Sequence, residues 1–238
     1  MERRALRSVA AIVTATAGVA VLSAAVLPAA VLPAAAAQAA PARSAGSAVT
    51  AAPVNLIKDH GAEKATPNSR GGPVPVKHWT PVRGTSFTAV AYGTRGFPGP
   101  RSPGPGHRGH NFFAGGPRGR TSGATQAVKI GAYLSLIRGG HAAFTLSGFL
   151  GGEGTRGDYA TLTITWKSVH GKVLGHATIG PVTERQRRGV SGLERRTRTG
   201  LVPRRTSQAV VSLRMVRTRP GYIDGFADNL SLTISRKG

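Results

Sequence analysis

A two-sheet antiparallel β-sandwich is the fold class this sequence predicts, and three observations predict it. About nine short segments alternate apolar and polar residues with a period of two. Gly, Pro, Asn and Asp residues that favour turns separate them. After residue 39, no stretch carries a helical period longer than one turn. Many short strands without helices bury their apolar faces by stacking two sheets.

Residues 1–39 read as a secretory signal. Arg3, Arg4 and Arg7 supply a positive start, Val9 to Leu27 an apolar run, and Ala37-Gln38-Ala39 a small-residue cleavage site. The run is nearly long enough to span a bilayer, which makes an anchor the rival reading. Pro28, Pro33 and the cleavage site favour removal, which predicts an extracellular, secreted chain available to the cell wall. No later stretch is apolar enough to cross a membrane, so no membrane partner is expected after cleavage. Residues 40–53 form an Ala/Pro/Ser linker, and residues 54–235 form the sandwich domain.

Within that domain, Val54 to Ile57 is expected as a short strand and 66–81 as a loop carrying Trp79. Thr85 to Tyr92 alternates as a strand. Residues 93–123 are dominated by Gly, Pro and Arg, which excludes helix and interior strand and predicts one long loop. Its Asn111-Phe112-Phe113 part is expected to pack on the sandwich and its 100–109 part to be mobile. Further strands are expected at 125–130, 133–137, 142–150, 158–167, 173–179 and 193–199, with a turn at His170-Gly171 and an exposed edge at 193–199. Residues 207–235 read as a closing hairpin. Ala209, Val211, Leu213 and Met215 face one way, Leu230, Leu232 and Ile234 follow, and Asp224-Gly225 forms a turn between them.

Composition narrows the chemistry. The 238 residues include no Cys, so disulfides and thiolate metal sites are excluded. The formal net charge is +23; removing 1–39 leaves 32 − 3 = 29 basic and 9 − 1 = 8 acidic residues, a net of +21. Two readings stay open: compositional bias toward Arg, or attraction to acidic polymers. Either one predicts non-specific polyanion binding at low salt. No motif for specific nucleic-acid recognition accompanies the arginines. The eight mature carboxylates fall in no catalytic motif, and no nucleophile elbow is present, so the chain is read as not an enzyme. His107 and His110 stand in a cationic loop that repels a metal ion.

Several motifs together carry a resemblance. Asn55-Leu56, Gly61-Ala62-Glu63, Trp79, Gly148-x-Leu150-Gly151-Gly152, Ala160-x-Leu162-x-Ile164 and Ala227-Asp228-Asn229-Leu230 resemble the galactose-binding-like jelly roll. That superfamily includes bacterial carbohydrate-binding modules. The chain is also similar to a group of secreted single-domain actinobacterial proteins of undefined activity, through Asn111 to Gly116 and Ile179 to Thr183. The resemblance implies a jelly-roll sandwich and a non-catalytic module for a polysaccharide or cell-wall polymer. It also implies a structural Ca²⁺ shared by Glu63 after the first strand and Asp228 at the last, where carboxylates suit a hard cation. The alternative is that Glu63 pairs with an arginine and Asp228 caps the turn. Tyr92, Phe112, Phe113 and Tyr222, in or beside loops, are the candidate sugar-stacking residues, with Arg196 and Arg214 from the basic clusters as partners. Trp79 and Trp166 are assigned to the core. The competing reading is a structural or adhesive envelope protein held by charge on anionic polymers, with no specific sugar site.

Overall fold

The computed structural model describes residues 53–238; the expected signal and nearly all of the linker lie outside the described residues. Ten strands form two five-stranded sheets. They are β1 (Thr80–Pro81), β2 (Thr88–Ala91), β3 (Asn111–Gly116), β4 (Thr121–Val128), β5 (Ala142–Gly152), β6 (Tyr159–Lys167), β7 (Val173–Ile179), β8 (Gly192–Leu201), β9 (Gln208–Val216) and β10 (Ile223–Arg236). The first sheet runs β1-β4-β9-β6-β7 and the second β2-β3-β10-β5-β8. Every paired neighbour is antiparallel. The jelly-roll-like sandwich expected from the alternation is therefore present.

The core lies between the sheets. Leu162, Ile164 and Trp166 of β6, and Val211, Leu213 and Met215 of β9, meet Phe144, Leu146 and Leu150 of β5 and Leu230, Leu232 and Ile234 of β10. Alternate residues of β6, from Tyr159 to Lys167, are half-buried on the other face, as period-two patterning requires. Trp79 and Trp166 are both buried. The β6–β7 hairpin turns at Gly171, whose φ of +78° suits glycine.

Several expectations are corrected. Residues 133–137 are helical: a 3₁₀ turn at Gly131–Tyr133 leads into α1 (Leu134–Gly139), capped by left-handed Gly140. Five residues are too few to separate the two periods. Residues 54–57 form no strand; they lie along the free side of β10, Leu56 N donating to Leu232 O and Asn55 bonding Leu230 O and Leu232 N through its side chain. The long loop ends at residue 110, and β3 is an interior strand between β2 and β10. Its glycines permit that placement: a Cβ on Gly115 would strike Ile223, and one on Gly116 would strike Ser86.

The closing hairpin is also corrected. Both of its strands exist, but β9 is central in the first sheet and β10 central in the second, so residues 217–222 cross between sheets. Asp224-Gly225 lies inside β10 as a bulge, since Ile223 pairs with Gly116 and Phe226 with Ala114.

Candidate functional site: the outer face of the second sheet

A second bulge in β10 builds this face. Asp228 pairs with Phe149 and Ser231 with Ser147, so one extra residue intervenes. Asn229 takes a φ of +46°, a region that asparagine tolerates. The extra residue reverses the alternation: Leu230 points into the core and Asp228 points outward. Asp228, Phe149 and Arg195 then form one row across β10, β5 and β8.

Half of the face is covered. Val90, Phe112, Ala114, Leu193 and Phe226 form a satellite cluster under the 93–110 loop. Phe97 reaches down from the loop, with ring centroids 6.0 Å from Phe226 and 5.2 Å from Tyr222. The loop is stitched together by Arg108, contrary to the mobility expected for 100–109. Its guanidinium donates to Pro105 O (3.1 Å), Gly99 O (3.2 Å) and Ser102 O (2.9 Å), and lies 4.9 Å above the Tyr92 ring.

Where the loop returns to β3, Glu63 and Asp228 converge. Glu63 accepts the backbone N–H groups of His110 and Asn111, each at 3.0 Å. Asp228 is fully buried; Tyr92 OH donates to Oδ2 (2.8 Å) and Asn229 N to Oδ1 (2.6 Å). Among the described residues Glu63 has no arginine ion pair, whereas Asp228 accepts the N–H of Asn229, the local bond that the capping alternative expects. Burial raises the Asp228 carboxyl to about 7; the Tyr92 and Asn229 hydrogen bonds oppose that shift and the Glu63 charge adds to it. Burial and the Asp228 charge also raise the Tyr92 hydroxyl far above its usual range. A methyl group built on Gly61 would stand 3.0 Å from Asp228 Oδ1, 3.5 Å from Glu63 Oε1 and 3.6 Å from Asn229 Oδ1. Three oxygens from residues 63, 228 and 229 thus lie beside Gly61, the donor type that suits a hard cation, although Glu63 Oε1 and Asp228 Oδ1 each already accept a backbone N–H. Among the described residues no cluster of three or more His, Asp or Glu is present.

The other half of the face is open. Half-buried Phe149 packs on the edge of the satellite cluster, with exposed Arg195 beside it; Ser147, Thr197 and Ser231 lie in the next row of the sheet and Thr145 and Thr233 in the row beyond. This arrangement offers an apolar ring beside hydroxyl donors and acceptors.

Of the candidate sugar-stacking residues, Tyr92, Phe112 and Tyr222 come together in the satellite cluster under the loop, while Phe113 lies on the opposite face of the sheet. Phe112 is fully buried beneath the loop, and Phe113 lies in the main core against Trp79 and Phe87, so neither presents a face to a ligand. Tyr92 and Tyr222 are half-buried, with their hydroxyls committed to Asp228 and to Gly71 O (2.8 Å). Arg196 is paired with Glu194 at 3.0 Å on β8, while Arg214 lies exposed on β9 in the other sheet. Phe149 and Arg195 were missed. The signal for Phe149 is a single aromatic that continues the outward alternation of Thr145 and Ser147.

Comparison with known proteins finds no family model and no curated protein that this sequence matches. Solved structures of similar fold include a family 61 carbohydrate-binding module in complex with β-1,4-galactotriose, at 14% identity and TM-score 0.45, covering 77% of this chain and 99% of that one. A second, titled Family 16 Carbohydrate Binding Module-2, gives 14% identity and TM-score 0.47, covering 75% and 99%. The enzymatically active domain of bacteriophage CBA120 tailspike protein 4 gives 11% identity and TM-score 0.45; 76% of this chain is covered but only 21% of the tailspike chain. At such identities the likeness concerns fold alone. Among the described residues, no helix is long and apolar enough to cross a membrane.

Proposed function

We propose that the protein is a secreted, non-catalytic binding module for a glycan or cell-wall polymer, and that the open half of the second sheet is its platform. The observation that carries this reading is the row Asp228–Phe149–Arg195. It places one half-buried aromatic at the border between the covered cluster and a row of hydroxyl side chains on the sheet. A sugar ring stacks its C–H face on Phe149 while Thr197 and Ser231, in the adjacent row, bond its hydroxyls.

A structural Ca²⁺ is part of the same proposal. Glu63 and Asp228 would hold it, with Asn229 Oδ1 as a third oxygen donor beside Gly61. Bound there, it would neutralise two carboxylates and tie residues 61–63 to β10 and the foot of the loop.

The test is a titration with neutral polysaccharides at low and high salt. Binding that survives high salt and is lost in Phe149→Ala is expected, because stacking on a neutral ring displaces no counterions. Failure of every neutral and acidic glycan to bind this face would defeat the reading.

The charge-held envelope protein remains as the second reading, on one observation. Arg185, Arg188, Arg195 and Arg198 are exposed around the start of β8, and none is in an ion pair among the described residues. If all binding disappears at high salt, that reading replaces the first.

A further inference from the structure

At one end of the Phe149–Arg195 row, the segment between β7 and β8 and the tip of the 93–110 loop enclose a cavity of about 340 Å³. Pro103 and Leu193 give it an apolar side; Gln186, Arg187, Arg188 and Glu194 give it a polar one. Leu193 precedes Arg195 by two residues on β8, so the two share a face about 7 Å apart.

Arg187 is unusual. It is only 6% exposed, and its Nε and Nη2 donate to the carbonyls of Gly152 (3.3 Å), Glu153 (3.4 Å), Gly154 (3.2 Å) and Arg156 (3.0 Å). Its Nη1 is enclosed without an acceptor. Among the described residues, no carboxylate is ion-paired with it. The Glu184, Glu194, Glu153 and Asp158 charges favour its charged form, but Nη1 is still left without a hydrogen-bond acceptor. Arg188 adds an exposed cation on the cavity rim. Of the carboxylates near Arg187, Glu194 and Glu153 are already paired with Arg196 (3.0 Å) and Arg156 (3.2 Å), and Glu184 is the one whose charge opposes an incoming anion.

We infer that this cavity is a subsite for an acidic group on the glycan, a uronate carboxylate or a phosphodiester, bound by Arg187 and Arg188 with the sugar ring against Leu193 and Pro103. The inference rests on the open sheet face being the glycan platform. It adds that the preferred polymer is acidic and that selection is made at one place, not by net charge.

The experiment compares three ligands at one fixed, near-physiological salt concentration: an oligogalacturonate, the neutral oligogalactose of the same length, and an oligomer of glycerol phosphate. The carboxylate and phosphodiester arms distinguish the two sources of acid. At least one acidic ligand should bind about tenfold more tightly than the neutral one. Arg188→Ala should abolish that advantage and leave neutral binding unchanged, whereas Arg198→Ala, at an exposed cation outside the cavity, should preserve it. Equal weakening by the two variants, or no preference for either acid, overturns the inference. Loss of neutral and acidic binding together in Phe149→Ala tests the platform itself, so the two failures are distinguishable.

Discussion

Two neighbouring carboxylates show how much a single residue's partners decide. Asp158 is fully buried and accepts three hydrogen bonds, from Thr218 N (2.7 Å), Thr218 Oγ1 (2.9 Å) and Asp224 N (3.0 Å). Asp224 is almost as buried, but burial raises its carboxyl to about 7. Arg156 at 3.4 Å pulls it down, yet that guanidinium is partly exposed and shared with Glu153 at 3.2 Å. A carboxyl whose pKa is higher folded than unfolded binds its proton more tightly in the folded state. Its contribution to stability is therefore full below about pH 4 and is lost as pH rises through about 7. Asp224→Asn should raise the Tm at pH 8 by roughly 3–8 °C and flatten the loss of stability between pH 4 and 7. Thermal melts of both proteins across that range check it; a variant less stable at pH 8 would show that the Arg156 pair outweighs burial.

At the scale of the element, the 93–110 loop behaves as a small folded layer. Its apolar contact is Phe97, and its interior polar partner is Arg108. Arg108→Ala removes three carbonyl contacts and the contact over Tyr92, so it should cost about 1–3 kcal/mol and open the loop locally. Faster amide exchange between residues 97 and 108, with the β6 and β9 amides unchanged, is the expected signature. Uniform loss of protection would mean that the loop and the main core unfold as one unit. The sequence was informative where a strand has one buried face: β6 and β9 show their alternation directly. It was uninformative where glycine replaces a packing side chain, as in β3, and where a bulge changes the facing, as at Asn229. Phe112 and Phe113 sit among glycines and prolines and so read as loop aromatics, although cross-strand pairing buries both. Phe149 was written into a polar alternation whose exposure depends on which strands flank it, and sequence order does not give that.

For the whole molecule, the two ends of the domain meet at Glu63 and Asp228, so an ion there would act on global stability. A ligand bound only by the folded state raises the melting temperature by mass action. Chelation of the purified protein should lower its Tm, and Asp228→Ala should remove the response; identical melts before and after stripping would dispose of the calcium proposal. The crossing of residues 217–222 bears on how the chain comes to be folded at all. β10 is the middle strand of its sheet, holding β3 and the N-terminal segment on one side and β5 on the other. Its partners are made early, and the strand that joins them is made last. While a ribosome is still adding residue 222, the second sheet can exist only as the separate pairs β2-β3 and β5-β8, which residues 223–236 then join. Closing the second sheet through pairings so distant in sequence makes it the slow part of folding.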